Sequence, residues 1–154
     1  MEGLKLLQDS REQKFLKFKT ETIRTCLVVG DYSASFNKNH IHNTIFERKN
    51  CGDLFSTLSA GYSRFKREIQ RAKENNITLI IAIEGSKERI LRGYSHSKRN
   101  GCSIVLQLET IRDRYGVDHI YFPSRISMAN YIEKFYQVEY EKYLETIKSL
   151  PESI

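Results

Sequence analysis

The chain has 154 residues, 40% hydrophobic and 29% charged, enough for one globular domain with a substantial core. No apolar run approaches the ~18–20 residues of a membrane-spanning helix, and Met1 to Lys5 lack the basic and apolar stretches of a secretory leader, which argues for an intracellular protein: cytoplasmic in a prokaryote or phage, nuclear or in a viral factory otherwise. Against 19 acidic residues stand 25 Lys and Arg, and the resulting charge of +6 suits a polyanionic partner such as nucleic acid.

Residues 4–8 are apolar enough for a first strand leading into Asp9, after which Ser10 is placed to cap a short helix running to residue 19. Residues 24–35 are rich in β-formers, among them Leu27, Val28 and Val29, and predict a strand. Asn37, Lys38 and Asn39 signal a turn, so residues 41–48 read as the returning strand of a hairpin. Over residues 53–75 the period changes. Leu54, Phe55, Leu58, Tyr62, Phe65, Ile69 and Ala72 recur three or four apart, one face of a single long helix, while Arg64, Lys66, Arg67 and Arg71 mark its other face. Residues 78–83 are apolar without alternation, as in a strand covered on both sides, with room for a short helix after it. The basic segment 93–100 reads as a loop.

Ile104, Val105, Leu108, Ile111 and Tyr115 mark a helix stopped at Gly116, and residues 119–122 form a short strand closed by Pro123. A final helix over residues 127–148 carries two apolar stripes. Met128, Tyr131, Phe135 and Val138 make one; Ile132, Tyr136, Tyr140, Tyr143 and Ile147 make the other, which predicts one face for the core and one for a partner. Strands alternate with helices after an initial hairpin, so the fold class is α/β: a central mixed β-sheet flanked by helices on both faces. No linker composition interrupts the chain, and residues 1–150 read as one domain with 151–154 as a tail. Cys26, Cys51 and Cys102 form no C-x-x-C pair and read as free thiols.

The chemistry concentrates on the hairpin. Asp31 follows Val28, Val29 and Gly30, and Glu47, Arg48 and Lys49 close the returning strand. Residues two apart on a strand share a face, so Glu47 and Lys49 point one way and Arg48 the other. Pairing across the turn sets Asp31 opposite them and brings two carboxylates and an ammonium together. Two carboxylates and a backbone carbonyl, with room for water, make an oxygen-only site of the kind Mg²⁺ prefers. Such an ion polarises a phosphoryl oxygen and acidifies water, and a lysine beside it orients that water. On their own, Glu47 and Lys49 read as a cross-strand ion pair at a surface.

Gly30-Asp31, then Glu47-Arg48-Lys49, three residues and Asp53, resembles the signature of the XPF/Hef-type structure-specific endonucleases. Asp9-Ser10-Arg11-Glu12 is similar to that family's element after its first strand, and Ile83-Glu84-Gly85-Ser86 to its strand ending in Glu-Gly. The motifs span residues 4–86; beyond them the likeness is in element order alone. The resemblance implies a restriction-endonuclease-like core and hydrolysis of phosphodiester bonds in branched DNA (flaps, forks or junctions), leaving 5′-phosphate and 3′-hydroxyl ends. It implies Mg²⁺ as cofactor, with Mn²⁺ able to substitute. A Holliday-junction resolvase or restriction-like nuclease on the same core, and a catalytically silent DNA-binding scaffold, are the alternatives.

Carried onto this chain, the resemblance makes Asp31 and Glu47 metal ligands together with the carbonyl of Arg48, with Asp9 in support. Lys49 becomes the base or water-orienting group. Asp53 is either a further acid of the cluster or the cap of the helix it opens. Arg11 and Glu12 sit at the rim. Arg11, Arg48, Arg64, Arg67, Lys98 and Arg99 are the candidates for DNA contact, the last two in a loop with Tyr94 and His96 whose basic and aromatic mixture suits strand binding. Glu84 reads as a structural strand-end residue, and His40 and His42 as exposed strand residues. No segment after Gly116 reads as the family's tandem helix-hairpin-helix module. Substrate choice then falls to the core, to another protein, or to a homodimer or heterodimer formed through the nuclease domain and the final helix.

Overall fold

A computed structural model describes residues 2–151, so the tail expected at 151–154 lies outside it but for Pro151. The strands are β1 (Leu4–Asp9), β2 (Thr22–Thr25), β3 (Tyr32–Phe36), β4 (His40–Ile41), β5 (Thr44–Asn50), β6 (Thr78–Glu84) and β7 (Asp118–Phe122). The helices are α1 (Cys51–Leu58), α2 (Tyr62–Glu74), α3 (Lys87–Leu91), α4 (Gly101–Tyr115) and α5 (Arg125–Lys148). One 7-stranded sheet runs in the order β2-β1-β3-β5-β6-β7, with β4 added beside β3. β1, β3 and β5 pair antiparallel, whereas β2 joins β1, β6 joins β5 and β7 joins β6 in parallel.

Alternation on β6 divides the interior. Leu79, Ile81 and Ile83 meet Leu54 and Phe55 of α1, Phe65 and Ile69 of α2, and Ile104, Leu108 and Ile111 of α4. Ala82 faces the other way, into a core of Leu4, Leu6, Tyr32, Phe36 and Phe46 against Met128, Ile132 and Tyr136 of α5. Each such side chain removed from water contributes ~1.5–3 kcal/mol. Helices therefore cover both faces, and the unalternating run of β6 is explained by burial on both sides. Among the described residues no helix is long and apolar enough to cross a membrane, and the three cysteines are free.

Five elements differ from expectation. No helix follows Ser10: residues 10–21 form an irregular strap. Its backbone is satisfied from afar, since the Leu16 N–H donates to the Tyr32 hydroxyl at 2.7 Å and the Thr20 N–H to Glu133 at 2.6 Å. Arg125 also donates to the carbonyls of Lys14 and Phe15. The strand expected over 24–35 is split, because β2 and β3 flank β1 on opposite sides and the chain must cross the end of β1 between them. The return strand is broken after Ile41, where the His42 ring accepts the Thr44 N–H.

The long helix over 53–75 is two helices. Ser59 and Gly61 both donate their N–H groups to the Ser56 carbonyl, which ends α1 before α2 begins. The final helix buries Met128, Ile132, Tyr136 and Tyr140, a single row at spacing four that draws on both predicted stripes. Tyr131 and Ile147 are exposed, while Phe135, Val138 and Tyr143 are half-buried.

Candidate active site

β1 and β5 run in the same direction because each is antiparallel to β3. The carboxyl ends of β1, β5 and β6 and the start of β3 therefore meet at one end of the sheet, where open α/β sheets place their ligand crevices. A cleft of about 410 Å³ opens there, floored by Asp31, Glu47 and Lys49.

Asp31 is fixed by backbone. Its N–H donates to the Phe46 carbonyl at 2.8 Å, and its carbonyl accepts the Asp9 N–H at 2.8 Å. Gly30 turns the chain at φ +79°, and a Cβ there would collide with Ile45, so the turn requires glycine. The Arg48 N–H donates to Asp31 Oδ2 at 2.7 Å, which pins the carboxylate beside Glu47. The expected hairpin pairing thus brings Asp31, Glu47 and Lys49 to one surface.

The two acids are unequal in setting but shifted in the same direction. Glu47 is buried, and burial pushes its carboxyl well above the usual range; the neighbouring Asp31 charge adds to the shift and Lys49 opposes it. Burial raises Asp31 as well, against the hydrogen bonds from Glu47 and the Arg48 N–H. The packing that brings the pair together disfavours its full ionisation. A divalent cation fits this donor set: oxygen ligands only, two charges to offset, and open volume for water. Among the described residues no three His, Cys, Asp or Glu side chains are arranged to hold an ion. The protein offers two carboxylates, leaving the remaining positions to backbone, water and substrate.

Asp9 and Arg11 form one wall. Arg11 Nε and Nη2 donate to Asp9 at 2.8 and 3.0 Å, and the Leu27 N–H donates to Asp9 Oδ1 at 2.9 Å. Burial works against the Asp9 charge, but these donors outweigh it and hold its pKa below the usual value. Asp9 lines the cleft with both oxygens already committed. The opposite wall is one row of α2, Arg64, Glu68 and Arg71. Arg67 lies outside the lining residues. Glu68 was not anticipated; its spacing from Arg64 and Arg71 is the helical signal that places it beside them.

Arg48 corrects the expectation of a DNA contact. Its side chain is 6% exposed and points to the opposite side of β5. Nε and Nη2 donate to the Glu12 carboxylate at 2.8 and 2.9 Å, and Nη1 donates to Glu84 at 2.7 Å. Arg125 completes the cluster through a second pair with Glu84. Burial opposes the Glu12 charge, and the Arg48 guanidinium overcomes it, lowering the pKa. Glu12 is accordingly a buried partner of Arg48 that also lines the cleft, at the rim expected of it, and Glu84 is the structural strand-end residue expected.

The remaining candidates lie elsewhere. Asp53 is exposed in the first turn of α1, outside the cleft lining, and the cap expected of it is made by Asn50, whose side chain accepts the Asp53 N–H at 2.8 Å. Lys98 is exposed on the loop before α4. Arg99, expected to face DNA, instead donates to the Leu58 carbonyl at 2.8 Å and to Gln107 at 2.6 Å, tying that loop to α1 and α4. His40 is exposed and stacks on Tyr143 at 4.9 Å. His42 is half-buried against Phe36, Phe135 and Tyr136 rather than exposed.

Known structures share this fold. XPF from Aeropyrum pernix matches with a TM-score of 0.68 at 20% identity, over 94% of this chain and 69% of that one. XPF from Aeropyrum pernix in complex with DNA matches with a TM-score of 0.66 at 21% identity, over 90% of this chain and 66% of that one. The chain spans about two thirds of the length of either, and the shared fold is restriction-endonuclease-like. No curated protein matches the sequence. The model of the ERCC4 domain matches residues 5–135, from β1 into α5 and across every residue of the cleft. By that match the chain belongs to the ERCC4 domain family.

Proposed function

We propose that the chain is a metal-dependent endonuclease that hydrolyses phosphodiester bonds in branched DNA, leaving 5′-phosphate and 3′-hydroxyl ends. The observation that carries the proposal is the convergence of Asp31, Glu47 and Lys49 in an open cleft rimmed by Arg11, Arg64 and Arg71. Burial works against the charge of both acids, and carboxyls perturbed in this way cluster where chemistry needs them. XPF from Aeropyrum pernix, whose fold the chain shares, has been solved in complex with DNA, which supports DNA as the substrate.

In this reading Asp31 and Glu47 hold Mg²⁺, or Mn²⁺ in its place. Arg48 supplies its carbonyl: the N–H and C=O of a strand residue point to the same edge, and its N–H already faces Asp31. When bound, the cation supplies Lewis acidity toward a phosphoryl oxygen and toward water. Lys49 orients the attacking water and offsets charge that develops on the phosphate. Arg11, Arg64 and Arg71 meet flanking phosphates and fix the strand in register. Asp9 holds Arg11 in place for that contact. Water attacks phosphorus in line, the bond to the 3′ oxygen breaks, and that oxygen takes a proton. A second subunit, identical or related, is the expected partner, meeting the outer side of α5 where Ile126 and Tyr131 are exposed.

The test is cleavage of labelled flap, fork, splayed-arm, four-way-junction, single-stranded and duplex DNA in Mg²⁺, Mn²⁺ and EDTA. Cutting beside a junction that needs the cation and is lost in Asp31→Asn supports the proposal. Folded protein that binds branched DNA but cuts none of these in either metal overturns it.

A further inference from the structure

The loop between α3 and α4 borders a second concavity of about 510 Å³ that shares no lining residue with the cleft. Arg92 and Tyr94 line it, and His96 and Lys98 stand on the same loop. We propose that this groove receives the unpaired arm of a branched DNA, with Tyr94 and His96 stacking on its bases and Arg92 and Lys98 meeting its phosphates. The proposal takes its substrate from the nuclease reading above.

The aromatic pair is held in place. Tyr94 packs on Phe55 with ring centroids 6.0 Å apart, and His96 meets the Tyr94 ring edge-on at 5.3 Å. Gly52 lets the ring approach, since a Cβ there would sit 3.1 Å from it. A pre-positioned ring loses little freedom when a base stacks on it, and stacking tolerates any base. The loop itself is tied down from α3 and by its own Arg99: Arg89 of α3 donates to the Gly93 carbonyl at 2.9 Å and Arg99 to the Leu58 carbonyl at 2.8 Å.

Charge and distance agree with a single strand. Arg92 and Lys98 are exposed and form no ion pair or side-chain hydrogen bond among the described residues, and no acidic residue lines the groove. Gly52, beneath Tyr94, lies three residues after Lys49, so their Cα atoms are within ~11 Å. That upper limit corresponds to at most about three steps of a stacked strand at 3.4 Å each. A strand leaving the cleft at Lys49 reaches Tyr94 after a few nucleotides, where a junction's unpaired arm begins.

The experiment is fluorescence anisotropy in EDTA, so that binding is read without cleavage, on a splayed-arm DNA and on a duplex of equal length. Arg92→Ala/Lys98→Ala alters only exposed side chains, and Tyr94→Leu/His96→Ala keeps apolar volume against Phe55. The expected result is splayed-arm binding weakened roughly five- to tenfold by either double variant, with duplex binding within about twofold of wild type. A 2-aminopurine base moved along the unpaired arm should be quenched at one or two positions, and Tyr94→Leu/His96→Ala should remove that quenching. Equal weakening on both DNAs would assign the groove to duplex backbone and overturn the proposal, as would no change on either. Failure of the nuclease reading shows separately, as folded protein that binds these DNAs and never cuts them.

Discussion

The two sides of β5 carry the same kinds of charge to opposite ends. On one side Glu47 and Lys49 face an open cleft, and Glu47 and Asp31 are pushed up in pKa. On the other, Arg48 is closed in with Glu12 and Glu84, and the Glu12 pKa is pulled down. Three consecutive residues are split by strand alternation into charges whose partners are built in and charges whose partners are missing. The satisfied side holds the strap after β1, β5, β6 and α5 together. The unsatisfied side is where binding energy remains to be gained, and in the proposed reading this contrast separates structure from function within a single tripeptide.

The contrast breaks most sharply in activity. Glu47→Gln and Lys49→Ala should each lower cleavage by at least ~10²–10³-fold, the loss seen when one preorganised electrostatic group is removed from a reacting phosphate or carbonyl. Yet Glu47→Gln should raise the melting temperature measured in EDTA, because it removes a buried charge beside Asp31. Activity lost together with stability would mean that the cleft acids serve the fold.

On the other side the order reverses. Glu12→Ala leaves the Arg48 guanidinium buried with Glu84 alone, and should cost about 3–5 kcal/mol in chemical denaturation. Exchanging both Glu12 and Arg48 for apolar residues of similar volume should cost less than either single truncation. Proton linkage separates the two sides again. Glu12 and Asp9, held below their ordinary values of 4.5 and 3.8, stabilise the chain above those values and lose that contribution as pH falls through their lowered pKa values. Glu47 and Asp31, raised from 4.5 and 3.8, do the opposite: in EDTA, stability declines as pH rises from those values through the raised ones. Thermal unfolding across pH should therefore show two limbs. Glu47→Gln should flatten the upper limb and Glu12→Gln the lower.

The open side was legible in the sequence for a physical reason. A two-residue period and a turn at Asn37 to Asn39 suffice to bring Asp31 to the side of Glu47 and Lys49, and both are local, while the break after Ile41 offsets the register by two and sets Asp31 level with Glu47. The same period set Arg48 on the other side, but not its partners, because Glu12 and Glu84 each lie 36 residues away. The strap after Ser10 was misread as a helix for a related reason: its donors are satisfied by Tyr32 and Glu133, and the latter contact spans 113 residues. Capping propensity at Ser10 cannot compete with anchors it cannot register. Glu68 stood in plain helical spacing between Arg64 and Arg71, yet only the tertiary fold decides which face of α2 meets the cleft.

Asn50 gives the smallest and most discriminating effect, because it joins both sides to the helix that follows. Its side chain accepts the Asp53 N–H at 2.8 Å and caps α1 directly after Lys49. Asn50→Ala should cost ~1 kcal/mol, the usual value of one N-cap. That loss is too small to disturb the Arg48 cluster, whose partners come from other elements. It does loosen the first turn of α1, and with it the end of β5 that carries Lys49. Cleavage should then fall more than the stability change accounts for, while Asn50→Asp, which keeps an accepting oxygen, should restore it. If cleavage instead tracks stability through both variants, the position of Lys49 is set by β5 alone, and the open side depends on the helix no more than the closed side does.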